Sequence, residues 1–249
     1  MDIGKKYVFA ITDSGNEINL VLEQKKLYSV SYRDIAAVVC DIGEKEQWIT
    51  EPQLRKGAAF HEQGVEWIMA RSTILPMRML TLVSGHDGIL AMLEQHYEEF
   101  RANLTRLAGQ AEFGLKVLWP AETIKARLEQ YSVPAIRYNS LALNYLQKKF
   151  AAYRQGEAFQ TAAEEQIARI SDFFTGRWTE QKLRRLPTDN LLLNAAYLVE
   201  NIRRQHFIQA FYQLKKNLPE LKYQFSGPWP PYNFIIMKSE KTLAELYHQ

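Results

Sequence analysis

Residues 7–16 read Tyr-Val-Phe-Ala-Ile-Thr-Asp-Ser-Gly-Asn, an apolar run followed by a cluster of small polar residues. The run from Tyr7 to Ile11 is rich in β-branched and aromatic side chains, which favour an extended strand. Gly, Asn and Asp tolerate positive φ angles, so the polar cluster predicts a turn. The N-terminal region is therefore predicted to form a strand and a loop.

Strand and helix patterns alternate over the residues that follow. Leu27 to Tyr32 and Ile35 to Asp41 are strand candidates, and the two residues between them suit a tight hairpin or a bulged continuation. Pro52 is placed for the first turn of a helix, where its missing N–H does no harm. The residues that recur at helical spacing after it are Leu54, Ala58, His61, Val65 and Ile68.

The rest of the N-terminal half continues this alternation. Pro76 ends the first helix, and Met77 to Val83 is an extended, apolar stretch. A second helix is predicted from Asp87 to Gly109, followed by a strand from Phe113 to Trp119. This order resembles a ferredoxin-like α/β sandwich, in which helices cover one face of an antiparallel sheet. We assign it to residues 1–134.

The C-terminal half begins with a long helical pattern. This pattern starts at Leu141, and Gly156 marks a bend or a break in it. Thr179 to Leu186 is predicted as a helix that returns beside it. A buried strand over Asn190–Glu200 is followed by a helix, Asn201–Leu218, and a half-exposed strand, Leu221–Phe225. The chain is thus predicted to be α+β with two domains, the second at 135–249 and built around a long helical hairpin.

Composition narrows the class of protein. The chain has 249 residues, 47% hydrophobic and 24% charged, which is enough apolar material for a core and too little charge for disorder. A net charge of +3 gives no reason to expect nucleic-acid binding. Cys40 is the single cysteine, so a disulfide framework is excluded and a reducing compartment is expected. No leader peptide or membrane span is recognisable, which predicts a cytoplasmic location.

Motifs for catalysis, metal or cofactor binding are missing. His61 and Glu62 begin like a zinc-protease helix, but Val65 stands where the second histidine is needed. The sequence has no pair of glycines two residues apart and no Gly-Lys-Ser/Thr, so nucleotide fingerprints are absent. His86 beside Asp87 is better explained as a polar pair at a helix start than as a catalytic dyad. We therefore predict no catalytic, metal or cofactor site and no enzymatic activity.

Three stretches carry a resemblance to a known family. Residues 227–234, Gly-Pro-Trp-Pro-Pro-Tyr-Asn-Phe, resemble the closing motif of the gas vesicle GvpL/GvpF family. Residues 194–199, Asn-Ala-Ala-Tyr-Leu-Val, are similar to a strand of that family that precedes a long helix. His61 followed by Leu75-Pro76-Met77-Arg78 resembles its first-domain pattern, which usually continues with Phe-Gly where this chain has Met79-Leu80.

The resemblance implies a protein required for gas vesicle formation that associates with the small shell protein GvpA, with a ferredoxin-like first domain. No catalytic residues are implied. The family-motif residues, which we expect to be structural, are His61, Pro76, Arg78, Asn194, Tyr197, Gly227, Pro228, Pro230, Pro231 and Phe234.

The closing motif has two interpretations. Its three prolines fix φ and lack amide donors, so the segment must turn or run extended, and Trp229 and Tyr232 then lie against the second domain as a lid. Alternatively these two side chains, with Trp178, bind a partner. We name them as candidates for GvpA binding. Competing hypotheses are a scaffold that binds only other accessory proteins and a small-molecule enzyme on the same fold.

Overall fold

The computed structural model describes residues 4–13, 17–43, 51–124, 141–184 and 191–237. The chain folds into two compact units, one made of Met1–Glu112 with Pro228–Gln249 and the other of Phe113–Gly227. Helices and strands are mixed in the chain, which confirms the α+β class. The domain boundary expected between residues 134 and 135 lies outside the described residues.

The first unit contains an antiparallel sheet around a buried central strand. Strand β1 (Lys5–Asp13) has β4 (Ile35–Ile42) on one side and, on the other, the short strands β5 (Ile74–Pro76) and β6 (Leu82–Ser84). Strands β3 (Lys25–Tyr32) and β2 (Asn19–Leu22) continue the sheet beyond β4. Every residue from Tyr7 to Ile11 is fully buried, which explains the continuous apolar run.

Three helices accompany this sheet. Helix α1 (Glu51–Met69) buries Phe60, Val65 and Ile68 in a core shared with β1. Of the predicted stripe, His61, Val65 and Ile68 are buried, whereas Leu54 and Ala58 are exposed. The second predicted helix is divided into α2 (Gly85–Gln95) and α3 (Tyr97–Leu107), with the buried His96 at the junction. Gly109, at φ +67°, follows α3 in the left-handed conformation expected of a glycine after a helix end.

The second unit has a four-stranded sheet in the order β10-β7-β9-β8. The strands are β7 (Gln110–Leu118), β8 (Glu180–Leu183), β9 (Leu191–Glu200) and β10 (Lys222–Trp229). Helices α4 (Leu141–Asp172) and α5 (Arg204–Asn217) complete it. Its core is strongly aromatic. The fully buried aromatic side chains at its centre are Phe113, Phe174, Tyr197 and Phe207.

One prediction about this unit was wrong, and one of two alternatives at Gly156 is excluded. The expected returning helix over Thr179 to Leu186 is replaced at Glu180–Leu183 by β8, which pairs antiparallel with β9. In a segment this short, hydrogen bonding to a neighbouring strand determines the backbone conformation more than the helix propensity of its residues does. Gly156 does not break the helix, because α4 is continuous through it.

Candidate partner-binding surface

His61 is the centre of a buried hydrogen-bond network in the first unit. Its ring stacks on Phe9 with 5.7 Å between centroids and 10° between planes. Its Nδ1 lies 2.9 Å from the hydroxyl of Tyr7, and its Nε2 lies 3.0 Å from the carbonyl oxygen of Met77. Helix α1 directs this ring inward because His61 belongs to the same helical stripe as the core residue Val65.

The network fixes the tautomer of His61. A carbonyl oxygen only accepts, so Nε2 carries the proton and donates to Met77, while Nδ1 accepts from the Tyr7 hydroxyl. The hydroxyl in turn accepts from the backbone N–H of Leu80 at 3.3 Å. Burial lowers the pKa of His61 from 6.5 to about 4, and the same burial raises the pKa of Tyr7. The imidazole is therefore neutral at pH 7.

Pro76 and Arg78 belong to the connection between β5 and β6. Pro76 is buried and pairs with Ala10 on β1. The carbonyl of Arg78 accepts from both the N–H and the hydroxyl of Thr81, at 3.2 and 2.7 Å. Leu80 has a φ of +69°, a conformation that favours glycine. This is the position at which the family pattern has Gly and this chain has a leucine.

Tyr232–Phe234 of the closing motif contacts the first unit, so Tyr232 does not lie on the second domain as the lid interpretation expected. Tyr232 begins a 3₁₀ turn, Tyr232–Phe234, and its hydroxyl is 3.3 Å from Nε2 of His61. Its side chain nevertheless remains 41% exposed, and burial of the hydroxyl region raises its pKa to about 12. An aromatic ring is thus presented at the surface above the buried histidine.

Polar side chains hold the residues around Tyr232 in place. Glu112 accepts from the N–H of Asn233 at 2.9 Å and also contacts its side-chain amide. Asn103 on α3 bonds both the N–H and the carbonyl of Ile236, at 2.9 and 2.7 Å. Arg106 donates to the carbonyl of Phe234, a residue with no exposed surface. We call residues 228–236, anchored in this way, the closing segment.

The other two partner-binding candidates have different surroundings. Trp229 ends β10 and is half-buried, and the next two residues, Pro230 and Pro231, are buried. Pro228 is tolerated within β10 because that strand is at the edge of its sheet. Trp178 belongs to the second unit, lies in the connection before β8 instead of on a helix, and packs half-buried against the core there.

The remaining family-motif residues lie in the second unit, where they pack in the core or shape the backbone. Tyr197 is fully buried, stacks on Phe174 with 5.4 Å between centroids, and has a pKa raised to about 12 by burial. The carbonyl of Asn194 accepts from the N–H of Arg184 at 2.7 Å. Gly227 has a φ of +111°, which only glycine adopts readily.

Sequence reasoning missed the polar anchors of the closing segment. Asn103 and Glu112 are nearly buried, at 3% and 6% exposure, but nothing in the local pattern distinguishes them from solvated residues of a helix and a strand. In the part of the chain that the structure describes, no group of three His, Cys, Asp or Glu residues is arranged to hold a metal ion. No described helix is long and apolar enough to cross a membrane.

Comparisons with known proteins agree with these motifs. The sequence profile described as "Gas vesicle synthesis protein GvpL/GvpF" matches residues 5–235. Gas vesicle protein F2 of Halobacterium salinarum is 26% identical over 92% of this chain and 91% of its own length. Gas vesicle protein L of a Streptomyces species is 27% identical over 75% of this chain and 71% of its own length.

A solved structure shares the fold. The crystal structure of the gas vesicle protein GvpF from Anabaena sp. PCC7120 superposes with a TM-score of 0.78 and 18% identity, and it covers 95% of this chain and 100% of that one. The matched profile extends from β1 to the closing segment, and so includes the His61 network and the anchored Tyr232. The chain belongs to the GvpL/GvpF family of gas vesicle synthesis proteins.

Proposed function

We propose that this protein is a non-catalytic accessory factor of gas vesicle assembly that binds the hydrophobic shell protein GvpA in the cytoplasm and prevents its aggregation during nucleation or growth. It associates with vesicles and remains as a minor component. The family membership supports the accessory role. The observation that carries the binding role is the exposed ring of Tyr232 on the anchored closing segment.

The physical reason for such a factor lies in the shell protein. A gas-filled wall needs subunits with a very apolar side, and free subunits aggregate through that side unless another surface covers it. A covering surface needs a few exposed aromatic or aliphatic side chains on a rigid support, without a deep cavity. A rigid support matters because ordering a flexible segment on binding would reduce the affinity.

The first unit meets these requirements at the closing segment. Tyr232 and Ile236 are 41% and 56% exposed, and the backbone between them is fixed by Glu112, Asn103 and Arg106. Leu80 is 39% exposed and is linked to Tyr232 through the Tyr7 hydroxyl and the His61 ring. These exposed side chains, with the half-buried Trp229, are the proposed contact.

The binding proposal is tested by light scattering of shell protein diluted from denaturant in the presence of this protein. We expect the wild-type chain to keep the shell protein dispersed. The Trp229→Ala, Tyr232→Ala double variant should lose about 30- to 1000-fold in affinity, since truncating an interface anchor costs about 2–4 kcal/mol. Tyr212→Ala is the matched control, because Tyr212 is 59% exposed on the second unit. Equal protection by the double variant would exclude this surface.

A pull-down with each gas vesicle protein separates the proposal from the scaffold alternative. Retention of other accessory proteins without GvpA would favour a scaffold. Deletion of the gene with complementation by wild type or by the double variant, scored for vesicles by phase-contrast microscopy, tests the role in cells. Vesicles in the deletion strain would refute an essential assembly role.

A further inference from the structure

The second unit has an open groove that the shell-protein hypothesis does not use. It has a volume of about 880 Å³ and runs between helix α5 and the turn that follows α4. One wall is a row of polar side chains on α5, and the other contains Gly176 and Arg177. The groove is open and has both polar and apolar side chains along its length, which suits a peptide segment better than a wholly apolar, wall-forming subunit.

The row on α5 has the spacing of a peptide main chain. Gln209, Gln213 and Asn217 are four residues apart and all line the groove. Four residues of α-helix rise about 6 Å, and an extended peptide repeats on one face every ~6.6–6.8 Å. A side-chain amide has both donors and an acceptor, so each can pair with the N–H and C=O of an extended chain.

Two of these amides are available for pairing. Within the described ranges, the side chains of Gln209 and Gln213 form no hydrogen bond with another residue, and both are exposed. Asn217 donates to the carbonyl of Gln213 at 2.8 Å, which fixes one end of the row. One wall of the groove therefore carries side-chain amides that can form hydrogen bonds with the main chain of a bound peptide.

The groove also has a cation that is not neutralised. Arg177 donates to the carbonyl of Thr175 at 3.1 Å, but no carboxylate in the described part of the chain forms an ion pair with it. Arg203, in contrast, is paired with Glu200 at 2.8 Å and donates to the carbonyl of Gly176. Asp172 lines the same groove. The charge balance thus favours a ligand with one carboxylate near Arg177 over a polyacidic one.

We propose that this groove binds an extended segment of a partner protein, with its main chain on Gln209 and Gln213 and one carboxylate on Arg177. The wall from Arg203 to Asn217 rises about 21 Å, enough for about six extended residues. The site gives this protein a second docking surface, made of residues other than those of the proposed contact at Tyr232.

The test is selection from a phage-displayed library of random hexapeptides on the immobilised full-length chain. We expect enriched sequences to share one Asp or Glu at a fixed position. The consensus peptide, synthesised with a fluorescent label, should bind about 10-fold more weakly to Arg177→Gln and to Gln209→Ala, Gln213→Ala in anisotropy titrations, as expected when a charged or paired hydrogen bond is lost. Lys216→Gln, which removes an exposed charge of α5 outside the groove, is the matched control.

Two results would overturn the proposal. One is a selection that enriches no sequence above the level seen with the Arg177→Gln, Gln209→Ala, Gln213→Ala chain. The other is a consensus peptide that binds this triple variant as tightly as wild type. The Gln209 and Gln213 side chains are exposed and Arg177 is half-buried in a surface turn, so circular dichroism melting should confirm that the variants remain folded. Failure here would leave the light-scattering result with GvpA unaffected.

Discussion

Gly64 on α1 lies directly against the ring of Phe9 on β1. A Cβ added to Gly64 would be 2.6 Å from Cε1 and 2.7 Å from Cδ1 of that ring. Phe9 is fully buried and stacked on His61, so the ring has little room to move. The helix thus approaches the central strand closely enough to place His61 within hydrogen-bond distance of Tyr7.

The Gly64→Ala variant should therefore be destabilised. Ala is the better helix former by about 1 kcal/mol, but overpacking a rigid core costs about 1–3 kcal/mol and displaces the Phe9 ring. We expect a net loss in the free energy of unfolding measured by urea titration. Gly156→Ala is the control, because nothing lies within 4 Å of a Cβ there and a gain of about 0.5–1 kcal/mol is expected. A stabilised Gly64→Ala would contradict the close approach.

Leu80 holds a backbone conformation that costs a leucine free energy. At φ +69° a Cβ costs about 1–2 kcal/mol, whereas glycine has no such penalty. Leu80→Gly should therefore be more stable than Leu80→Ala by about 1 kcal/mol, since both lose the side chain and only Ala keeps the strain. Chemical denaturation of the two variants measures the difference. The usual order, with Ala more stable than Gly, would show that the strain is absent.

The low pKa of His61 makes stability depend on pH. The folded pKa is about 4 and the unfolded one 6.5, so the unfolded chain binds the extra proton between these values. The stabilisation that depends on a neutral His61 is fully present above pH 6.5. It decreases by about 3 kcal/mol in total as the pH falls to 4. The difference in unfolding free energy between wild type and His61→Gln should shrink by that amount from pH 7 to pH 4. A pH-independent difference would refute a neutral buried His61.

The anchors of the closing segment are testable by hydrogen exchange. Glu112→Gln replaces an ionised acceptor of the Asn233 N–H by a neutral one, and a hydrogen bond to a charged group is worth about 1.5–3 kcal/mol. We expect the amides of Asn233 and Ile236 to exchange about 10-fold or more faster in native-state experiments. Glu98→Gln, on the exposed side of α3, is the control. Unchanged rates would mean that Glu112 does not hold the segment.

The sequence pattern predicted most long elements correctly because their burial is one-sided or complete along their length. The apolar run at Tyr7 to Ile11 became the central strand, and the stripe ending at Ile68 became α1. The strand with Tyr197 and the helix with Phe207 were predicted in the same way. The apolar spacing indicates the type of each element, although in α1 it included the exposed Leu54 and Ala58 and missed the buried Phe60.

The wrong predictions concern elements whose structure depends on distant partners. Glu180–Leu183 is a strand because β9 offers its hydrogen bonds, and four residues carry too little periodicity to indicate this. The site shows the same limit. The motif residues His61 and Tyr232 were recognised separately, 171 residues apart, but their contact depends on the fold. Trp178, the third partner-binding candidate, lies in the other unit, and its role stays a prediction.

The return of residues 228–236 to the first unit has a consequence for biosynthesis. The ribosome makes the strands and helices of that unit first and then the whole of Phe113–Gly227 before it reaches the closing segment. Until then Asn103, Arg106 and Glu112 cannot form their hydrogen bonds to the closing segment. The first unit therefore remains incomplete while nearly half the chain is translated. A truncated product without these last residues would lack the buried side chain of Phe234.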